Sequence, residues 1–356
     1  MRKRLLSLFL LILFGLSCSV PAFASHVEVS GDRYFTLLDE NNKVVHKTAL
    51  MVFNGDIYIA ADNSKYKVVD VNGTIAKCSY QGKEIMPELN YDPQRQAFLF
   101  EPSIPVQGNK KPTIAVYHTH SDESYVPTDG KESIRGDGGI YDVGQTFVKE
   151  LEKQGFNVEY NEAKHDPHDV NAYHRSRKTA TDLMKEGPDA IIDVHRDAVP
   201  ADVYQTEIEG EDVTKIKLVI GRQNPNMKTN MEFAKKIKTV MDKEQPGLSN
   251  GIYVGKGDYN QDLSPRAMLI EVGAHTNSKE EAQKGVTLLA ETMPAVFGIS
   301  NGKTVENKSD NEQDPAKKPL NEDNQRSGTV LIIMLAILGA AAGGYYWLNR
   351  GTKEKQ

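Results

Sequence analysis

The chain has 356 residues, with 43 Lys and Arg against 49 Asp and Glu, for a formal net charge of -6. That mild acidity offers no basic face for nucleic acid, and 39% hydrophobic residues are too many for a disordered chain. Two cysteines exclude a disulfide scaffold and a cysteine-based zinc module. The strings G-x-x-x-x-G-K-[ST] and H-E-x-x-H are absent, which removes two common chemistries.

Residues 1–24 read as a signal peptide. Arg2, Lys3 and Arg4 precede a short apolar run, and Ala22-Phe23-Ala24 supplies the small-x-small cleavage pattern. Residues 25–108 read as a small β domain. Runs rich in aromatic and β-branched residues at 34–38, 49–53, 57–60 and 66–71 are separated by turn signals such as Asn54-Gly55-Asp56 and Asn72-Gly73.

From 109 to 300 the pattern alternates. Strands are expected at 113–117, 156–160, 190–194, 216–220 and 268–272. Helices are expected at 142–154, 173–186, 227–241 and 278–292; the first places Val143, Phe147, Val148 and Leu151 on one face. The expected architecture is α/β, a mainly parallel twisted sheet with helices on both faces. Residues 301–327 are polar and almost free of large apolar side chains, as in a flexible linker. Residues 329–348 form an uncharged apolar segment ending in Tyr345-Tyr346-Trp347, long enough for a transmembrane helix, and 349–356 a positive cytoplasmic tail. Both ends then place the middle outside the cell membrane.

Seven of the nine histidines lie between His118 and His275. Three apolar strands finish on chemistry. The first runs into Tyr117-His118-Thr119-His120-Ser121-Asp122-Glu123, the second into Asp193-Val194-His195-Arg196-Asp197, and the third holds Glu271 in Leu269-Ile270-Glu271-Val272-Gly273. In a parallel sheet the strand carboxyl ends share one edge, where ligands bind. A zinc held by His120, Glu123 and His195, with Glu271 free as general base, suits hydrolysis of a carbonyl compound. Arg196 and Asp197 are candidates to orient the ligands, and His275 to stabilise an oxyanion. His165, His168 and His174 are expected in a solvated loop, with lining the cleft or contacting substrate as the alternative, and His26 and His46 to need no function.

The strings H-T-H with E-S-Y, D-V-H-R-D-A and L-I-E-V-G, spread over residues 110–298, resemble the stage II sporulation protein P family. They are more distantly similar to the zinc N-acetylmuramoyl-L-alanine amidases. The resemblance implies a zinc-dependent peptidoglycan hydrolase that cleaves the amide between N-acetylmuramoyl and L-alanine, with endopeptidase activity on cross-links. It also implies a setting in septal thinning and engulfment, with stage II sporulation proteins D and M as partners. In the amidases the ligand glutamate stands farther from the first histidine, which leaves Glu132 as an alternate to Glu123. His118 is likewise an alternate to His120, with His120 preferred because it forms H-x-x-E with Glu123. A wall-binding scaffold without catalysis and a zinc carboxypeptidase are the other readings.

Overall fold

The computed structural model describes residues 33–88 and 111–300, together with the backbone of short strands at Asn90–Asp92, Ala97–Leu99 and Lys303–Thr304. The signal and transmembrane segments lie outside the described residues. Among the described residues no helix is long and apolar enough to cross a membrane.

Among the described residues, seventeen strands and five helices follow in chain order. β1 is Phe35–Leu38, β2 Val44–Thr48, β3 Ile57–Ile59, β4 Ser64–Asn72, β5 Ile75–Lys83, β6 Asn90–Asp92, β7 Ala97–Leu99 and β8 Thr113–Tyr117. Then come α1 (Val126–Asp129), α2 (Ile140–Lys153), β9 (Asn157–Tyr160), α3 (Ala172–Lys185) and β10 (Ala190–Asp197). They are followed by β11 (Gln205–Ile208), β12 (Glu211–Thr214), β13 (Ile216–Gly221), α4 (Met227–Glu244), β14 (Ser249–Gly255), β15 (Ala267–Ala274), α5 (Lys279–Phe297), β16 (Ile299–Ser300) and β17 (Lys303–Thr304).

The main sheet has eleven strands in the order β2-β1-β5-β4-β3-β14-β13-β15-β10-β8-β9. The α/β half, β14 to β9, is parallel throughout except where β13 runs antiparallel to β15. β10, β13, β14 and β15 are buried along their whole length, as apolar strands covered on both faces must be. Alternation assigns the two faces. Ile192, Val194, Leu218, Ile220, Met268 and Ile270 pack with α2, α4 and α5. Ala115, Tyr117, Ile191 and Ala267 pack with α3, and Val219, Tyr253 and Leu269 with β1 to β5. Helix α5 opens on a capping box: Ser278 Oγ accepts from the Glu281 amide, and Glu281 accepts from the Ser278 amide.

The N-terminal strands are therefore not a separate domain. β3 pairs with β14, so the expected β domain and the α/β sheet are one sheet. The described residues all fall in one compact unit, Met1–Lys308. The physical reason is that Val219, Tyr253 and Leu269 need a cover that the helices leave to Phe35, Leu37, Leu50 and Val52. The seam passes through β14, a strand the turn-like Ser249-Asn250-Gly251 conceals. Gly251 has φ +88, and a Cβ there would stand 2.2 Å from the Ile59 carbonyl oxygen. Residues 49–53, expected as a strand, hold a single β-bridge at Leu50 and no named strand; the Ala49 amide donates to Asp197 Oδ1 at 2.9 Å. The expected linker boundary at 301 falls inside the β16–β17 pairing.

This continuity has a measurable consequence. A chain starting at residue 33 and ending at 300 unfolds cooperatively on heating, whereas one starting at 111 does not, because its β14 edge and second face lie open. Circular dichroism melts of the two lengths decide it; a cooperative transition from the shorter chain contradicts the shared core.

Candidate metal centre at the strand ends

Strand β8 delivers the first group. Its chain continues through His118, Thr119 and His120 into a tight loop in which the Glu123 carbonyl accepts from the Ile140 amide at 3.0 Å. That loop lies so close to the start of α2 that a Cβ on Gly138 would meet the Glu123 carbonyl oxygen at 2.5 Å. Glu123 is fully buried. Its Oε1 lies 2.9 Å from His120 Nδ1 and 3.2 Å from His195 Nδ1, and its Oε2 accepts from the Arg196 amide at 2.9 Å. Ligand atoms of His120, Glu123 and His195 lie within 4.8 Å of one another, and all three residues are buried. Among the described residues this is the set with the composition and spacing for a metal ion.

Strand β10 supplies the second histidine and a carboxylate below it. Asp193 and His195 are two residues apart and share a face; Asp193 Oδ1 lies 2.9 Å from His195 Nε2. Asp193 also accepts from the Thr119 amide at 2.8 Å and the Thr119 hydroxyl at 2.5 Å. Burial alone works to lower the His195 pKa, but Asp193 and Glu123 outweigh it and hold the imidazole well above its usual value. Burial also works to raise Glu123, yet the His195 charge and bonds from both histidines keep it well below the carboxylate range. Burial and neighbouring His168 lower the His120 pKa, leaving a neutral imidazole. The site thus combines a neutral histidine with two ionised carboxylates around a second histidine. A buried place that draws positive charge in this way fits a divalent cation with nitrogen and oxygen ligands.

Glu271 stands beside it. It is the register partner of His195 across β10 and β15, and of Lys217 across β15 and β13. His195, Glu271 and Lys217 so form one row on one face. Glu271 Oε2 is buried and, among the described residues, has no hydrogen-bond partner. Burial raises its pKa well above normal, with Lys217 only partly offsetting. Lys217, wholly buried, donates to Thr48 Oγ1 at 3.0 Å and to Asp197 Oδ2. Asp197 further accepts from the Tyr204 hydroxyl at 3.0 Å and from the Ala49 amide.

The alternates fall away from the set. The Val194 carbonyl can only accept, so His118 carries its proton on Nδ1 (2.9 Å), and His118 Nε2 accepts from the Tyr160 hydroxyl at 2.9 Å. Burial pushes its pKa down to about 4. Both nitrogens are occupied within the protein, and His118 is a core histidine. Glu132 is exposed and meets the site through its backbone, its carbonyl accepting from Arg196 Nη2 at 3.0 Å. Arg196 holds Glu123 through its amide, and its charge adds to what keeps that carboxyl ionised. Asp197 turns to Lys217 and the N-terminal strands. The His275 amide donates to the Asp197 carbonyl at 2.9 Å; burial and Arg196 lower its pKa.

Several groups escaped the sequence reading. His165 is buried, and the His168 ring lies 3.8 Å from that of His120, so the segment follows the cleft-lining alternative and not the solvated loop that its polarity favours. Tyr173 stands edge-on to His120 at 5.7 Å and parallel to His195 at 6.4 Å. Lys217 was readable: a lysine within Ile216-Lys217-Leu218-Val219-Ile220 carries the same signal as Glu271 in its own apolar strand.

A family model described as "Stage II sporulation protein P (SpoIIP)" matches residues 45–294. The chain belongs to the stage II sporulation protein P family. The match begins within β2 and ends within α5, so Thr48 and Ala49, which reach Asp197, fall inside the matched stretch. Stage II sporulation protein P of Bacillus subtilis (strain 168) is 30% identical over 216 residues, 55% of this chain and 54% of that protein. The chain thus matches about half the length of this curated relative. Two solved structures overlap more loosely. The CwlD amidase from Clostridioides difficile, in complex with the GerS lipoprotein, is 15% identical, covering 52% of this chain and 95% of that one at a TM-score of 0.36. The N-acetylmuramyl-L-alanine amidase Ami1 from Mycobacterium smegmatis is 14% identical, covering 54% and 99% at 0.38. Overlaps of that size decide neither fold nor activity.

Asp197 and Lys217 yield a stability prediction. Removing one partner of a buried pair leaves an uncompensated charge. Lys217→Met should cost about 3 kcal/mol in urea unfolding, and Lys217→Met combined with Asp197→Asn should cost less than the single change. A double variant weaker than the single one runs against this account of the pair.

Proposed function

We propose that the chain is a zinc-dependent peptidoglycan hydrolase of the N-acetylmuramoyl-L-alanine amidase type, working in septal wall thinning during sporulation. The observation that carries this reading is the register of the site: a buried His120, Glu123 and His195 set, with Glu271, whose Oε2 has no hydrogen-bond partner among the described residues, directly beside His195. Family membership supports the sporulation setting and the wall as substrate. In this reading the apolar segment 329–348 tethers the enzyme at the cell membrane, with the catalytic part outside.

His120, Glu123 and His195 would hold the metal, which supplies Lewis-acid polarisation of the scissile carbonyl. The remaining work falls to the chain. Glu271 Oε2 takes a proton from the attacking water as the new C–O bond forms. It returns that proton to the L-alanine nitrogen as the C–N bond breaks, so the carboxyl ends as it began. Burial keeps Glu271 basic enough for this exchange, and Lys217 keeps its ionised form accessible. Hydrolysis of a cross-link amide needs the same steps. A purely structural site gives no reason to leave a buried carboxyl oxygen unpaired, since that costs about 1–3 kcal/mol.

A digest of purified peptidoglycan tests the reading. The expected products are free stem peptides with new L-alanine amino termini, lost on chelation and restored by zinc. Glu271→Gln should lower the rate at least about 100-fold, and His195→Ala should abolish it. Cross-link cleavage alone would move the scissile bond into the peptide; release of single terminal residues would mean a carboxypeptidase. Binding to the wall without any product would mean a scaffold.

Glu271→Gln also has a stability signature. The folded pKa of Glu271 lies above its ordinary 4.5, so between those two values the native state binds the extra proton and stability falls as pH rises. In chelator, the glutamine variant should therefore lose less stability than the parent as pH is raised above about 4.5. Equal slopes in urea unfolding across that range would count against a buried, proton-retaining Glu271.

A further inference from the structure

The segment 164–169, between β9 and α3, is strapped to the protein by contacts that the metal set does not need. His165 Nδ1 donates to the His118 carbonyl at 2.7 Å, its Nε2 lies 2.8 Å from Thr179 Oγ1, and its amide donates to Ser121 Oγ at 3.0 Å. Arg175 donates from Nε to the His165 carbonyl at 2.6 Å and from Nη2 to the Pro167 carbonyl and Asp169 Oδ1. The strap carries His168 to the site. His168 Nδ1 lies 3.1 Å from Asp122 Oδ1, and Asp122 Oδ2 accepts from the Ser133 hydroxyl.

The His168 ring lies over that of His120 with centroids 3.8 Å apart and 30° between the planes. His195 and Tyr173 meet His120 edge-on at 4.9 and 5.7 Å. The His120 imidazole is thus boxed: His168 on a face, two rings at right angles to it, and Glu123 at Nδ1. His168 is outside the three-residue set whose ligand atoms converge. Its ring lies over the ligand histidine, with Asp122 at its own Nδ1.

We propose that His168 is a positioning residue for His120. Its ring, oriented by Asp122, closes one face of the His120 imidazole, fixes where the His120 nitrogens point, and so strengthens the grip of His120, Glu123 and His195 on a divalent cation. Outer groups that hold a ligand in place commonly change metal affinity 10–100-fold. The inference rests on the metal reading of the site.

Zinc affinity of the full chain in detergent, measured by competition with a chromophoric chelator, tests it. His168→Ala should weaken zinc about tenfold, and His168→Phe, which keeps a flat face without the Asp122 bond, should recover most of the loss. Asp122→Ala, which leaves the ring without its orienting bond, should weaken zinc only as slightly as His168→Phe, and combined with His168→Ala it should add nothing to the loss from His168→Ala alone, because Asp122 acts through His168. Melting in chelator checks that the variants fold; if the alanine variant does not, His168→Asn replaces it and should bind more weakly than His168→Phe. Parent-like zinc affinity in a folded His168→Ala or His168→Asn protein, while His195→Ala loses zinc, overturns the positioning role and leaves the site reading standing. A parent chain that binds no zinc removes both.

Discussion

The structure depends on the cost of burying charge. His195, Glu271 and Lys217 occupy one row across β10, β15 and β13, strands buried on both faces. An isolated ionised group in such a place is expensive enough to shift its pKa or find a partner. Each member answers differently. Lys217 is paired with Asp197. His195 is flanked by Asp193 and Glu123. Glu271 has an oxygen left over, and its pKa rises. Function in this account resides in the member that packing leaves unsatisfied.

That constraint explains why the N-terminal strands belong to the same sheet. Asp197 is satisfied by the Ala49 amide, the Thr48 hydroxyl, Tyr204 and Lys217, so half of its partners come from the last residue of β2 and the one that follows it. Thr48 also receives a hydrogen bond from Lys217. Without these strands the lysine and the apolar face around it would meet water. The N-terminal region thus covers the core and completes the electrostatics under Glu271, and the stretch shared with the family starts in β2.

Much of this was legible in the sequence because the physics is local. Strand β8 ends at Tyr117 as its apolar run does, and α2 follows its apolar spacing. His195 and Glu271 could be read because each interrupts an apolar strand, where a polar group needs a reason, and His120 and Glu123 because they follow one at H-x-x-E spacing. What stayed hidden is nonlocal. The union of β3 with β14 depends on a glycine whose missing Cβ admits the Ile59 carbonyl. No string says that the Ala49 amide leaves a ladder for Asp197, or that Arg175 folds a polar loop so that His168 covers His120. His118 and His120, two residues apart, differ in role because the Val194 carbonyl and the Tyr160 hydroxyl claim one of them.

The central claim is that this charge arrangement is built for a cation. Crystals of the chain soaked in zinc and measured on both sides of the zinc absorption edge test it directly. The account predicts one anomalous peak per chain, touching His120, Glu123 and His195, with Glu271 beside it. A peak at other residues, or none at this site while the three side chains stay in place, would contradict it.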